Sequence, residues 1–594
     1  MALIAELQRR KVFKVGAAYL VVAWLSVQAV SIAFPAFDAP PWALRVFILL
    51  ALLGLPVALV MAWLFDVTHE GMKLDATSTA TKRVFASAVV LAALALVWYF
   101  HGQPTLREGK LATAALGTSG AASGPAPADA VGAPVPATDP HSIAVLPFVD
   151  MSQTKDQEYF SDGLSEELLN LLAQLPQLRV IARTSSFSFK GKEVDVGTIA
   201  RALNVANVLE GSVRKSGNTL RITAQLIRAS DSTHLWSQTY DRELTDVFKV
   251  QDEIAGAVVS ALKVQLLPDQ AMTSTHRSAD AEAYNQFLLG NEFLKRDDEA
   301  GWRRAIDAFR QAIARDGGFA AAYAGLANAE GSLGDRLGDQ AQMAQAVIDA
   351  TKAIELAPGL ADGYSTRAIS RLSFQMDWAG GAADLEKSLA LSPGDAGVHV
   401  AYARLMIALG RTDEALASTR RSVELDPLAS ASWSQLGRIL NYVGEYQEAK
   451  QALDRSLDLS PTCDICLFHR GMTDLLQGRA AESVAYFRKA AGAYGGAGVA
   501  MAEHTLGHAR ESRQALDAEI AEFSRGSAYQ IAEAYAWRGE SDKAFAWLDR
   551  AYAQKDGGLT FIKMDPLLAS IARDPRFKVL LEKLGLPAKP GTPK

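Results

Sequence analysis

The stretch WSQLGRILNYVGEYQEAKQALDRSLDLSP (433–461) decides the fold, because its small and helix-breaking residues fall where two packed helices need them. Gly437 lets the first helix approach its neighbour, and Ala449 fits the crossing point of the pair. Pro461 stops the second helix, since it has no N–H to donate and its ring clashes with the preceding turn. The punctuation recurs: Pro358, Pro393, Pro427 and Pro461 are spaced 35, 34 and 34 residues apart. The same register places Ala415 in the unit before and Gly471, Phe487 and Ala490 in the unit after. AWRGESDKAFAWLDRAYAQKD (536–556) restarts it near the C-terminus, and Ala305, Phe309 and Ala312 mark the first helix pair.

Helix pairs at this period, with Trp433, Leu436, Gly437, Ala449 and Pro461 in register, resemble the tetratricopeptide repeat; Leu440 and Leu453 stand where Tyr and Phe are usual. About six to eight repeats are expected over 280–585, irregular around 495–525, with DPLLASIARDPRFKVLLEKLGLP (565–587) as a cap. Such pairs stack into a solenoid whose concave wall is lined by first helices. Motif positions 5, 9 and 12 face that groove. They correspond to Ser434, Arg438 and Asn441, and one repeat earlier to Val400, Arg404 and Ile407. Two arginines at equivalent positions suit an acidic or C-terminal carboxylate group; the plainer alternative leaves them solvated or paired within the chain. The clamp of chaperone-binding members is not reproduced, since Ser434 and Val400 stand where it has lysine. Arg404, Arg438, Asn441 and Ser434 are therefore the predicted contacts for a protein or peptide partner.

Upstream, over 142–268, the pattern becomes α/β. SIAVLPF (142–148) and LRVIAR (178–183) read as buried strands. VGTIARALN (196–204) reads as a helix. VANVLEGSVRKSG, TLRITAQLIRA and THLWSQTYDR follow as three successive strands, with Leu220, Ile222, Ala224 and Leu226 on one buried face. DVFKVQDEIAGAVVSALKVQL closes the module as an amphipathic helix. Between the first two strands, DQEYFSDGLSEELLNLLAQLP (156–176) forms a helix with Phe160, Leu164, Leu168, Leu171, Leu172 and Leu175 on its apolar face. Glu158, Asp162 and Glu166 are displaced from that face by two residues, about 200° of turn, and so are expected to face water rather than form a catalytic cluster.

The run from SIAVLPFVDM to TYDR, with YFSDGLSEEL and VLEGSVR as its most specific pieces, resembles the TolB-like N-terminal domain of bacterial signalling proteins. It is also similar to part of the periplasmic region of ToxR- and CadC-like regulators. The resemblance implies a partner tetratricopeptide region and supplies no catalytic residues. Relatives carry a DNA-binding or cyclase domain in front, from which this chain departs.

The first hundred residues carry three uncharged apolar segments, 15–34, 46–65 and 84–100, long enough to be read as transmembrane helices. Arg9, Arg10, Lys11 and Lys14 before the first, with Lys73, Lys82 and Arg83 after the second, place the N-terminus in the cytoplasm and the later domains in the periplasm. The Ala/Gly/Pro-rich stretch 101–141 reads as a disordered linker. The expected architecture is thus multidomain: three transmembrane helices (1–100) in the inner membrane, the linker, a TolB-like α/β module and an all-α repeat solenoid.

Across 594 residues the net charge is −6, from 60 basic and 66 acidic side chains, with no basic stripe to hold nucleic acid. Cys463 and Cys466 rule out a disulfide framework. CDIC (463–466) lacks the His that haem attachment requires next; a local disulfide or two packed thiols explain it. HTLGH (504–508) has Thr505 where a metalloprotease needs Glu, and GGAGVA (495–500) lacks a preceding strand. No phosphate loop or nucleophile elbow occurs, so no catalytic, cofactor or metal residue is assigned. The expected function is a membrane-anchored, non-enzymatic interaction or sensory scaffold in signal transduction. The alternative is an enzyme or cyclase-linked component with its site in the α/β module.

Overall fold

The computed structural model describes residues 139–152, 158–216, 219–243, 246–264, 278 and 280–586, with the short pieces 19, 23, 26, 65–68 and 71–74. Residues 1–131 and 132–594 are separate compact units.

The membrane architecture requires correction. Among the described residues no helix is long and apolar enough to cross a membrane. Phe65, the last residue of the second expected span, opens a strand (Phe65–Thr68) that pairs antiparallel with Gly71–Leu74. The rest of the three spans, apart from residues 19, 23 and 26, lies outside the described residues, as does 101–138 of the linker. A charge-free run satisfies what a bilayer asks of a helix without forcing the backbone into one, and at its end FDVT takes a strand instead. Three transmembrane helices and a multi-pass inner-membrane placement are therefore not supported. What is supported is a sheet-containing region followed by an all-α solenoid.

In the second unit the sheet contains β1 (Ser142–Val145), β2 (Val149–Asp150), β3 (Arg179–Val180), β4 (Asn207–Ser216), β5 (Thr219–Arg228) and β6 (Thr233–Glu243), in the order β3-β1-β4-β5-β6 with β2 beside β4. β1 runs parallel to both neighbours, while β4, β5 and β6 form an antiparallel meander. Every residue of β1 is buried, as a central strand covered on both faces must be. Helices α1 (Glu158–Ala173) and α4 (Val247–Ala261) cover one face, packing Leu164, Leu168, Ile254 and Val258 on Leu220, Ile222 and Leu226. Of two further helices, α2 (Arg183–Phe187) and α3 (Val196–Leu203), the second covers the other face through Ile199 and Leu203. α2 was not expected. The strand before it ends early because the Ala182 N–H donates to Leu425 O of the solenoid at 2.7 Å.

The chain after α2 also changes the environment of the acids on α1. Lys190 folds over them and reaches Glu158 and Asp162, each at 2.6 Å, and Asp162 is buried. Glu166 pairs with Arg183 at 3.0 Å and with Lys295 at 3.2 Å. Glu158 stays exposed, as expected of a water-facing stripe, whereas Asp162 and Glu166 are drawn into an ion-paired seam. Burial pushes the Asp162 carboxyl up, and the Lys190 contact pulls it partly back.

The solenoid comprises eight helix pairs among the described residues. The first four are α5 and α6 (Ala281–Leu294, Glu299–Arg315), α7 and α8 (Ala320–Leu337, Gln340–Leu356), α9 and α10 (Ala361–Ser370, Trp378–Leu391), and α11 and α12 (Ala396–Leu409, Thr412–Leu425). Then come α13 and α14 (Ser430–Val443, Tyr446–Leu459), α15 and α16 (Asp464–Leu476, Ala480–Phe487), α17 and α18 (Ala493–Thr505, Ala509–Phe523), and α19 and α20 (Ala528–Trp537, Ser541–Gln554). α21 (Pro575–Lys583) follows as the cap. Pro358, Pro393, Pro427 and Pro461 each lie two residues past the last helical residue.

A methyl group on Gly437 would collide with the fully buried Leu453 on the paired helix. Overpacking of this kind costs about 1–3 kcal/mol, more than the roughly 1 kcal/mol by which alanine outranks glycine in a helix interior. Gly437→Ala is accordingly expected to lower the thermal midpoint despite its better helix propensity. A raised midpoint in calorimetry would show that this helix pair has room to spare.

Candidate functional site

Among the described residues two large cavities lie along the first helices, the wall that repeat stacking makes concave. The front one, about 640 Å3, is lined from α5, α7, α9 and α11 by residues such as Asn291, Asn328, Thr366 and Val398. Glu167 and Asn170 of α1 close its rim, so the α/β module borders the groove.

The rear cavity, about 430 Å3, is lined from α11, α13, α15, α17 and α19. It contains Arg404 and Arg438, one repeat apart on the same wall, as the motif positions require. The Arg438 guanidinium lies 3.8 Å from the Phe561 ring centroid and that of Arg404 lies 5.9 Å from it. Elsewhere the solenoid pairs its arginines with acids, as in Arg367 with Asp384, Arg411 with Glu414 and Arg470 with Asp474. Among the described residues neither Arg404 nor Arg438 has a carboxylate within ion-pair distance. Arg438 donates to Gln435, while its Nε is buried without a hydrogen-bond partner. Burial pushes the Arg438 guanidinium down to about 10, so it is still a cation at neutral pH.

Phe561 comes from the 3-10 turn Gly557–Phe561, on the chain between the last helix pair and the cap. That chain crosses the wall and is tied down beyond it. Lys563 Nζ donates to Leu409 O at 2.8 Å, and Trp378 Nε1 donates to Leu584 O at 2.7 Å. The rear compartment is therefore roofed by the protein's own C-terminal segment.

Aromatic rings make its sides: Tyr442 lies 5.9 Å from Phe561, and Phe468 lies 5.4 Å from Tyr494, both within the range of favourable ring pairs. Deeper, Tyr529 donates to Asp565 at 2.9 Å. Burial, then the Asp565 carboxyl, drives Glu533 well above the usual carboxylate range. Burial, then Arg438, drives His469 well below its ordinary value, so its ring is neutral. Glu533 Oε2 and His469 Nδ1 are buried without hydrogen-bond partners.

The other two predicted contacts sit behind this wall. Asn441 is buried and joins α13 to α15, donating to His469 O and accepting from Thr473 Oγ1, each at 3.0 Å. Ser434 is buried and does not line the cavity. Glu533 escaped the sequence reading although it occupies a first helix, where the same wall rule applies. Phe561 and Asp565 lie outside the repeats, and their partners lie on repeat helices, Tyr529 for Asp565 and, more than a hundred residues earlier, Arg404 and Arg438 for Phe561, so no local signal marks them. Cys463 and Cys466 form a disulfide at the start of α15, and His508 pairs with Glu503 at 2.8 Å.

Two tetratricopeptide repeat family models match residues 375–439 and 434–498, so the solenoid consists of tetratricopeptide repeats. Residues 139–257 match the model of the second domain of HilA/YgeH-like transcriptional regulators, and the expected TolB-like membership is not supported. The chain is 40% identical over 186 residues to "Putative adenylate cyclase 3" of Rhizobium meliloti (strain 1021), a match covering 31% of this chain and 32% of that one. It thus spans about a third of that relative's length. Among solved structures, a tetratricopeptide repeat protein of Parabacteroides merdae ATCC 43184 is 13% identical, covering 45% of this chain and all of that one at a TM-score of 0.34. YrrB, described as a repeat protein with an unusual peptide-binding site, is 18% identical, covering 36% and 99% at 0.26.

Proposed function

We propose that this chain is a non-enzymatic interaction scaffold with a sensory role, holding a protein or peptide partner along its first-helix wall, with Arg404 and Arg438 as the anion contact. The observation that carries this is the pair of guanidiniums, one repeat apart, with no carboxylate within ion-pair distance among the described residues. Two like charges on one wall repel, and an acidic group from a partner relieves that repulsion while accepting bidentate hydrogen bonds. Ser434 and Asn441 support the helix pair from behind.

Binding of the full chain to an array of peptides varied in acidity and C-terminal group tests this. Acidic and free-carboxylate peptides are expected to be retained, and the Arg404→Ala, Arg438→Ala double variant is expected to lose about 2–5 kcal/mol of that binding, the usual cost of truncating one side of a buried charged contact. Retention of no peptide, or equal retention by the double variant, would count against the scaffold. A cyclase-linked role is the second reading, favoured by the 40% identity to the adenylate cyclase relative. Formation of a cyclic nucleotide by the purified chain would replace the scaffold with an enzyme.

A further inference from the structure

The rear cavity is more narrowly built than a general acidic-partner groove requires. Its roof, Gly557–Phe561, leaves about 430 Å3, the scale of a small-molecule or single-residue pocket rather than a channel for an extended chain. Arg404 and Arg438 line it together with Phe468, Tyr442, Tyr494 and Phe561, and two buried polar atoms of its lining residues, His469 Nδ1 and Glu533 Oε2, have no hydrogen-bond partner. Those two, His469 and Glu533, are each only 4% exposed. Buried polar atoms are nearly always satisfied, so this pair marks where a ligand's own polar group belongs.

We infer that the cavity binds a carboxylate borne on an aromatic body, its carboxylate at Arg404 and Arg438, its ring against the aromatic walls, and a second polar group such as a hydroxyl on Glu533 Oε2 and His469 Nδ1. This deepens the reading of the arginine pair as an anion receptor. The same chemistry comes from a free aromatic acid or from the C-terminal residue of a peptide. A neutral amide in place of the carboxylate forfeits the charge-assisted contact. Removing the ligand's hydroxyl leaves Glu533 Oε2 and His469 Nδ1 unpaired in the complex.

Calorimetric titration of the full chain separates the cases. The probes are 4-hydroxyphenylacetate, phenylacetate, 4-hydroxyphenylacetamide, and a pentapeptide ending in tyrosine with its C-terminus free or amidated. The hydroxylated acid or the free-carboxylate peptide is expected to bind, with loss of about tenfold or more on amidation and on Arg404→Gln. Phenylacetate is expected to bind several-fold more weakly than its hydroxylated counterpart. Arg404 is exposed and its guanidinium lies 5.9 Å from the Phe561 centroid, farther than the 3.8 Å of Arg438, so its substitution is the milder of the two. Binding by the small acid alone assigns a free metabolite-like acid; binding by the peptide alone assigns a chain terminus. No binding by any probe, equal affinity of acid and amide, or indifference to Arg404→Gln overturns the assignment. If small acids bind while the peptide array retains nothing, the scaffold reading fails and this one stands.

Discussion

Glu519→Gln is expected to stabilise the protein by about 3 kcal/mol at pH 7 and to flatten the pH dependence of its stability. Glu519 lies on α18 with 2% of its surface exposed, and Oε1 has no hydrogen-bond partner. Gly496 on α17 makes room for its carboxyl, since any side chain there would meet Glu519 Oε2. Burial, then the neighbouring Glu522, pushes the carboxyl from its ordinary 4.5 up to about 8. The folded pKa is therefore raised, and between those two values the native state holds a proton that the unfolded chain has released. Stability then falls as pH rises across that window, and above about 8 the charged form is buried at full cost. Glutamine keeps the shape and has no proton to lose. Denaturation midpoints of the two proteins at pH 5, 7 and 8 should converge at the acid end and separate towards the alkaline end. Parallel curves would show that water reaches this carboxyl.

What the sequence shows directly is whatever repeats or alternates. The four prolines at a fixed period place the helix ends, and Gly437 with Leu453 places the contact within a pair. The alternation from Leu220 to Leu226 marks the buried face of β5. The readings that failed depended on which neighbour arrives. Glu158, Asp162 and Glu166 are opposite the apolar face as helical geometry dictates, but only Glu158 stays largely in water, while Lys190, Arg183 and Lys295 cover Asp162 and Glu166. No periodicity announces a short helix such as α2, which forms where the sheet hands its hydrogen bond to the solenoid. At the end of the second apolar segment Phe65 opens a strand, where lack of charge alone does not fix the backbone. In the cavity, Arg404 and Arg438 were legible from motif positions, whereas Phe561 and Asp565 come from a segment that returns across the wall. Tertiary closure chose them.

The same principle makes Asp426 the residue whose loss should loosen the α/β module from the solenoid. It sits at the end of α12, just before the repeat-ending Pro427, and is buried. Its carboxylate accepts from the Ser185 backbone N–H at 3.0 Å and from the Ser185 hydroxyl, whose oxygen in turn accepts from the Leu428 N–H at 2.8 Å. Burial pushes the Asp426 carboxyl up, and the hydrogen bonds from Ser185 and Thr184 draw it back towards the charged form. Hydrogen bonds to a charged group contribute about 1.5–3 kcal/mol, and a stranded buried N–H costs about 1–3 kcal/mol more. Asp426→Ala should therefore cost about 3–4 kcal/mol, with Asp426→Asn retaining part of it because one acceptor oxygen remains. Since the module and the repeats need not unfold together, the decisive measurement is hydrogen exchange. The amides of Ala182, Ser185 and Leu428 should lose protection together in Asp426→Ala, while those inside α13 keep theirs. In a double-mutant cycle with Ser185→Ala the losses should fall short of additivity by about 0.5–3 kcal/mol. Full additivity, with Ala182 still protected, would mean that apolar contacts such as Leu428 against the Ile199 and Leu203 cluster hold the two parts together by themselves.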